Sequence, residues 1–227
     1  MNLLKKLLLK PKCLYCNRNS QELLCKACIN QIQNIPEQSC KICRSTKIEK
    51  NICLECTERP RLFNKLITLG VYNGILKNSI YRLKYEAEKD YAKALGQLLA
   101  IDLKNNLDIK IDYITSIPLH KDKLKERGFN QAEIIARNVT YNYQGNYLEI
   151  FKRVIHTKAQ HSLTLREREE NLKEAFEIDT NKQLKDKNII LVDDIFTTGT
   201  TINEACKLLT NNGVKNIYIA TVARSLI

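Results

Sequence analysis

Residues 188–201, NIILVDDIFTTGTT, join an apolar run to a loop built only of threonine and glycine. Ile189, Ile190, Leu191 and Val192 suit a strand buried on both faces, as in a parallel sheet. That strand is expected to end in Asp193 and Asp194, and Thr197, Thr198, Gly199, Thr200 and Thr201 then lead into a helical pattern. In open parallel sheets ligands bind beyond the carboxyl ends of strands. Backbone N–H groups, hydroxyls and a helix N-terminus at that place make a cradle for phosphate. Gly199 gives the backbone dihedrals that other residues avoid. Adjacent carboxylates repel a phosphate, so they suit sugar hydroxyls or a divalent cation, and a ligand carrying a diol and a phosphate answers both halves. A helix cap beside two ordinary loop aspartates explains the pieces separately. It does not explain five Thr and Gly residues in a row behind a carboxylate pair. The stretch has neither the Gly-Lys-Ser/Thr of a P-loop nor the Gly-x-Gly-x-x-Gly of a dinucleotide fingerprint.

Working outward, TTINEACKLLTNNG (200–213) reads as a helix with Ile202, Ala205, Cys206, Leu208 and Leu209 inward and Gly213 as its stop. Cys206 on that face is read as packing. NIYIATVA (216–223) is a further strand, which completes a βαβ unit. Upstream, FNKLITLGVY (63–72) suggests a strand or a hairpin closed by Asn73-Gly74, and residues 75–106 suggest two helices. DYITSIPL (112–119) reads as a buried strand stopped by Pro118, and GFNQAEIIARNV (128–139) as a helix. Residues 61–227 are therefore expected to form an α/β domain, a mainly parallel sheet flanked by helices.

Residues 1–60 follow a different logic. Eight of the nine cysteines fall there, in four Cys-x-x-Cys pairs: Cys13/Cys16, Cys25/Cys28, Cys40/Cys43 and Cys53/Cys56. Two such knuckles give one tetrahedral four-thiolate zinc site, with Zn–S near ~2.3 Å. A disulfide framework belongs to secreted chains, and nothing marks this one as secreted, so a cytoplasmic location is expected. A redox Cys-x-x-Cys is usually a single pair. Sequential pairing is favoured, the first four cysteines on one zinc and the second four on another, with a cross-brace as the alternative. Four thiolates leave no open coordination position, so both zincs are expected to be structural. A stretch with so few large apolar residues needs such staples.

The chain of 227 residues carries 37 Lys+Arg against 25 Asp+Glu, a formal charge of +12. Nucleic acid, an anionic membrane surface or a small polyanion all suit that excess. With 44% apolar residues along the chain, disorder is disfavoured. No apolar run approaches the ~20 residues that span a bilayer. The opening MNLLKKLLLKPKC is a poor signal peptide and reads as a short helix on the body of the protein.

IILVDDIFTTGTT resembles the phosphoribosyl-pyrophosphate motif of type I phosphoribosyltransferases, and the whole pattern resembles the ComF family of competence-associated proteins. Supporting blocks are SIPLHKDKLKERGFNQAEIIA (116–136), FKRVIHTKAQHSLTLREREENLKEAF (151–176), LKYEAEKDYAKALG (83–96) and the cysteine-rich start. Phe196 departs mildly from the motif, where aliphatic residues are more usual. The resemblance implies a type I phosphoribosyltransferase-like sheet after a double zinc ribbon. It implies that Asp193 and Asp194 hold the ribose hydroxyls, and that Thr197, Thr198, Gly199, Thr200 and Thr201 bind the 5′-phosphate. Arg127 and Gly128, in the turn after the strand at 112–119, would stand near the pyrophosphate, and Ser116 would be a further substrate-binding residue. Arg153, Lys158, Gln160, Arg166, Arg168 and Asn171 would belong to a catalytic flap, and Lys84 is a candidate for the ligand's anionic end. Of these, Asp193, Asp194, Arg127 and Lys158 are the implied catalytic set. Mg²⁺ would accompany the phosphoribosyl pyrophosphate. His120, His156 and His161 receive no role. The acceptor stays open. A transferase of phosphoribose stands beside a single-stranded-DNA-handling factor, whose partners would include DNA-uptake or recombination proteins. Aromatic stacking platforms would favour the second, and within residues 1–60 Tyr15 is the single aromatic residue.

Overall fold

The computed structural model describes residues 11–48, 50–153, 176–179 and 183–226. The opening segment read as a short helix lies outside them. Along the chain come α1 (Lys26–Ile29), α2 (Leu54–Glu58), β1 (Lys65–Val71), α3 (Gly74–Tyr85), α4 (Asp90–Asn106), β2 (Tyr113–Ser116), α5 (Lys121–Arg127) and α6 (Gln131–Tyr143). Then follow β3 (Phe151–Arg153), β4 (Phe176–Ile178), β5 (Asn188–Phe196), α7 (Thr200–Asn211) and β6 (Asn216–Arg224).

Four strands form a sheet in the order β1-β6-β5-β2, every neighbouring pair parallel. The expected βαβ unit is β5-α7-β6. β1 leads into a crossover helix and returns no hairpin, because its partner is β6. Asn73 stands as the N-cap of α3, and Gly74 at φ +44° makes the corner. β3 and β4 pair antiparallel in a separate ribbon that the apolar pattern does not signal.

Side chains alternate across the sheet with period two, and the two faces bury different company. Ile190 and Val192 of β5 and Ala220 and Val222 of β6 face α3, α4 and α6. Ile189 and Leu191 of β5 and Ile217 and Ile219 of β6 face α7 and Phe63. The cysteine-rich stretch is shared between those faces: Cys13 and Cys28 join the first core, and Cys40, Cys43, Cys53 and Cys56 join the second. Cys206 is fully buried in the second core, where burial pushes its thiol up to about 12, the state of a packing residue.

Candidate functional site

The carboxylate pair lies inside β5. The strand runs two residues past the aspartates, and Ile195 and Phe196 stay in register with Ala223 and Arg224 of β6. An equally long neighbour strand supplies the hydrogen bonds, and Phe196 is fully buried. The loop therefore starts at Thr197. Asp194 is 5% exposed, and its backbone N–H donates to Asp193 Oδ1 at 2.8 Å. Burial, and after it the adjacent Asp194 charge, raises the Asp193 carboxyl well above the usual carboxylate range. Lys84, in the last turn of α3, ion-pairs with Asp194 Oδ2. Lys84 thus stands against the carboxylate pair.

Gly199 stands at φ +80° as the N-cap of α7 and is buried. A Cβ there would come within 2.5 Å of the Phe196 ring, so the loop folds down onto that ring only because the residue is glycine. Thr198 and Thr200 join hydroxyls at 3.0 Å, and Asn203 N–H donates to Gly199 O at 2.8 Å in the first turn of α7. Thr197 and Thr198 are exposed, while Thr200 and Thr201 are half-buried. Hydroxyls, backbone donors and a helix N-terminus thus converge beside the carboxylates.

Beyond β2 the structure forms a short helix where the sequence suggested only a turn. Asp122 N–H donates to His120 Nδ1 at 3.2 Å to start α5, and KDKLKER holds good helix formers. Gly128 at φ +78° ends it, its N–H donating to Leu124 O at 2.7 Å. Arg127 donates to Gln131 Oε1, and its guanidinium lies 5.6 Å from the Tyr85 ring centroid. That contact brings the turn after α5 against the helix that carries Lys84. Asn130 fastens the same turn, donating to Ile117 O at 2.9 Å and accepting from Ala132 N–H at 3.1 Å. Ser116 is buried and shares a 3.1 Å hydrogen bond with Tyr147 Oη. Arg153 is the last residue of β3, at the edge of the segment 154–175. Lys158, Gln160, Arg166, Arg168, Asn171, His156 and His161 lie outside the described residues.

Tyr81 and Tyr85 received no role from the sequence, and helical spacing is the one signal that could have paired them. They are 52% and 65% exposed, with ring centroids 5.0 Å apart, on the face of α3 that also carries Lys84.

The cysteines form two cages in sequential order. Cys13, Cys16, Cys25 and Cys28 make one and Cys40, Cys43, Cys53 and Cys56 the other, the ligand atoms of each within 4.8 Å of one another. Sulfurs stand 3.7 Å apart in Cys13/Cys28 and in Cys16/Cys25, and 3.5 Å apart in Cys43/Cys53. A tetrahedral zinc with Zn–S of ~2.3 Å places its sulfurs about 3.8 Å apart, so both cages fit that ion. Burial pushes the Cys13 thiol up, but backbone N–H groups of Cys16, Cys25 and Tyr15 outweigh it and bring it down to about 6. Cys40 reaches about 7 in the same way, with donors from Cys43, Cys53 and Ile42. Burial then raises the thiols that face them, Cys28, Cys43 and Cys56. A divalent cation reverses that order and lets all four ionise.

Comparison with known proteins supplies the family. The phosphoribosyl transferase domain family matches residues 123–226. Competence protein F of Haemophilus influenzae is 31% identical over 224 residues, covering 94% of this chain and 97% of that protein. The chain belongs to the ComF family. Other ComF-like relatives are the DNA utilization protein YhgH of Escherichia coli, 28% identical over 82% of this chain and 90% of its own, and Competence protein ComFC of Streptococcus pneumoniae. The latter is 27% identical over 91% of this chain and 90% of its own. Among solved structures, an adenine phosphoribosyltransferase is similar at a TM-score of 0.41 and 17% identity, covering 60% of this chain and 72% of that one. The ComF chain has the type I phosphoribosyltransferase-like fold with two cysteine cages capable of zinc binding. Among the described residues no helix is long and apolar enough to cross a membrane.

Proposed function

We propose that this ComF-family protein binds phosphoribosyl pyrophosphate and transfers its phosphoribosyl group to an acceptor, in a cytoplasmic role in DNA uptake. One observation carries the reading. A carboxylate pair in β5, with Asp194 buried and Asp193 half-buried, stands two residues before a hydroxyl-rich loop whose glycine folds back on the strand at a helix N-terminus. Asp193 and Asp194 take the ribose hydroxyls, and residues 197–201 take the 5′-phosphate. Arg127, beyond β2 and against α3, lies on the side where the pyrophosphate would be held. In the transfer the bond from ribose C1 to pyrophosphate breaks, a bond from C1 to the acceptor forms, and the leaving oxygens gather negative charge. Arg127 and, from the flap, Lys158 stabilise that charge. Carboxylates beside ligand oxygens suit a hard cation, and Mg²⁺ bound with the donor would neutralise part of the pyrophosphate charge. No side-chain nucleophile is required. The relatives' names tie the family to competence and DNA use. Zinc in both cages is part of the proposal and purely structural.

The test is thermal unfolding with and without phosphoribosyl pyrophosphate and Mg²⁺. The wild-type chain is expected to melt higher with the ligand, and the double variant Asp193→Ala, Asp194→Ala to show no shift. A wild type indifferent to the ligand would sink the site.

A second reading has its own observation. The exposed Tyr81 and Tyr85 rings, with Arg127 over Tyr85, form an aromatic and cationic surface beside the site, of the kind on which bases of a single strand stack. If the chain handles single-stranded DNA there, replacing both tyrosines by Ala weakens binding of an oligothymidine by about tenfold or more. Tyr81→Ala alone, which leaves the Arg127 contact of Tyr85 in place, should weaken that binding with the response to phosphoribosyl pyrophosphate intact.

A further inference from the structure

Phe196 departs from its motif, and the structure shows what it meets. Its ring is packed edge-on by Phe63, with centroids 6.0 Å apart at 78°. Two guanidinium groups lie over it, Arg224 at 4.8 Å and Arg61 at 6.0 Å. Gly199 of the phosphate loop abuts the same ring.

Both arginines lead back to the second cysteine cage. Arg224, the last residue of β6, is 6% exposed. Its Nε donates to Cys43 O at 3.0 Å, and its Nη1 donates to Phe196 O at 3.3 Å, to Thr197 O at 2.6 Å and to Ser225 O. One planar guanidinium therefore ties a knuckle of the cage to the first residue of the phosphate loop. Arg61 pairs with Glu55, the residue that precedes Cys56 in α2. Four thiolates on a divalent ion leave roughly two negative charges, and two buried guanidinium groups are the natural counterweight.

Among the described residues the first cage has no such line to the loop. Its polar tie runs from Leu14 O, which accepts from Tyr91 Oη at 2.7 Å and Arg82 Nη1 at 3.4 Å, and Arg82 is already paired with Glu86 and Glu88.

We propose that Arg224 and Phe196 are positioning residues that hold the phosphate loop in register with the second cysteine cage, so that affinity for the 5′-phosphate depends on that tie. The inference rests on residues 197–201 being the phosphate loop. It adds that the neighbouring cage sets how well that loop binds.

The ligand can be tested in halves. Ribose 5-phosphate reports the loop, and magnesium pyrophosphate reports the turn at Arg127. Arg224→Lys keeps the charge, but a single ammonium cannot reach Cys43 O and Thr197 O in the fixed fork of a guanidinium. Phe196→Leu keeps the site apolar and removes the ring beneath Gly199. Calorimetry on the full chain, with metal content measured for every variant, is expected to show ribose 5-phosphate bound about tenfold more weakly by both variants. Pyrophosphate binding and metal content stay unchanged. Equal weakening of both ligands would mean a general structural fault and would overturn the proposal, as would two variants that bind ribose 5-phosphate like the wild type. A wild-type chain that binds pyrophosphate but no ribose 5-phosphate would overturn the phosphate-loop reading itself, and this inference with it.

Discussion

The two cysteine cages have the same ligands and almost the same spacing, yet they sit on opposite faces of one sheet and differ in depth. In the first, Cys16 and Cys25 are half-buried; in the second all four cysteines are buried. The first is tied to α3 and α4 through one carbonyl, Leu14 O. The second reaches a strand end and the loop at residues 197–201 through Arg224, and its Ile42 O accepts from the N–H of Leu66 in β1 at 2.9 Å. A staple at the rim secures a local fold, whereas a staple inside the core also fixes what is built on it.

The largest effect should come from breaking the cages unequally. Cys56→Ser leaves a poor ligand buried among apolar side chains, and a cost of about 3 kcal/mol or more is expected. Cys16→Ser, nearer to solvent, should cost clearly less. Chemical unfolding of both variants beside their metal content measures the difference, and equal costs would erase the distinction between rim and core.

The loop next to the second cage offers a finer contrast. Gly199 and Gly128 share a positive φ, but a Cβ at Gly128 meets nothing within 4 Å, whereas one at Gly199 strikes Phe196. Gly128→Ala should therefore cost only its backbone term, about 1 kcal/mol. Gly199→Ala should cost about 2–4 kcal/mol, because the ring or the loop must move as well. Adding Phe196→Leu should recover part of the larger loss and none of the smaller one, as a double-mutant cycle would show.

How far the sequence reaches is visible in these same residues. Cysteine spacing made two four-cysteine sites readable and favoured their sequential order, but a cross-brace uses the same spacing, and only the fold decides between them. The carboxylate pair with its Thr/Gly loop was readable because residue type carries its chemistry. The tie between cage and loop was not. Arg224 stands 181 residues from Cys43, and the atoms it binds are backbone carbonyls, which any residue supplies. Phe196 alone gave a hint, as a departure from its motif. The division of the cysteine stretch between two faces was equally hidden, since it depends on β6 lying between β1 and β5. The aromatic surface of α3 is hidden for a similar reason, because Tyr81 and Tyr85 at helical spacing look the same whether packed inward or exposed.

Asp193 gives a pH-dependent version of the contrast between stability and binding. Its folded carboxyl is raised, so the folded chain holds that proton more tightly than the unfolded chain does. Stability is then undiminished below the unfolded carboxylate pKa of ~3.9 and falls as pH rises through the window up to the raised folded value. Asp193→Asn escapes that loss. At pH 7 it should be more stable than the wild type, with the gain fading below pH ~4. It should lose the thermal response to phosphoribosyl pyrophosphate. A variant less stable than the wild type at pH 7 would mean that the buried carboxylate is satisfied by its surroundings.

The smallest effect is expected at the first cage. Tyr91→Phe removes the hydroxyl that donates to Leu14 O and leaves a ring of the same shape in the same buried place. The hydroxyl also accepts from Arg82 Nη1 at 2.8 Å. Leu14 O keeps its bond from Arg82, and Arg82 keeps Glu86 and Glu88, so no group is stranded and the loss of both bonds should cost only about 1 kcal/mol. Binding of ribose 5-phosphate should not change, because no tie runs from Leu14 to residues 197–201. If this substitution weakened the ligand as much as Arg224→Lys does, the two cages would be equivalent supports of the site, and the asymmetry between the faces of the sheet would have no bearing on binding.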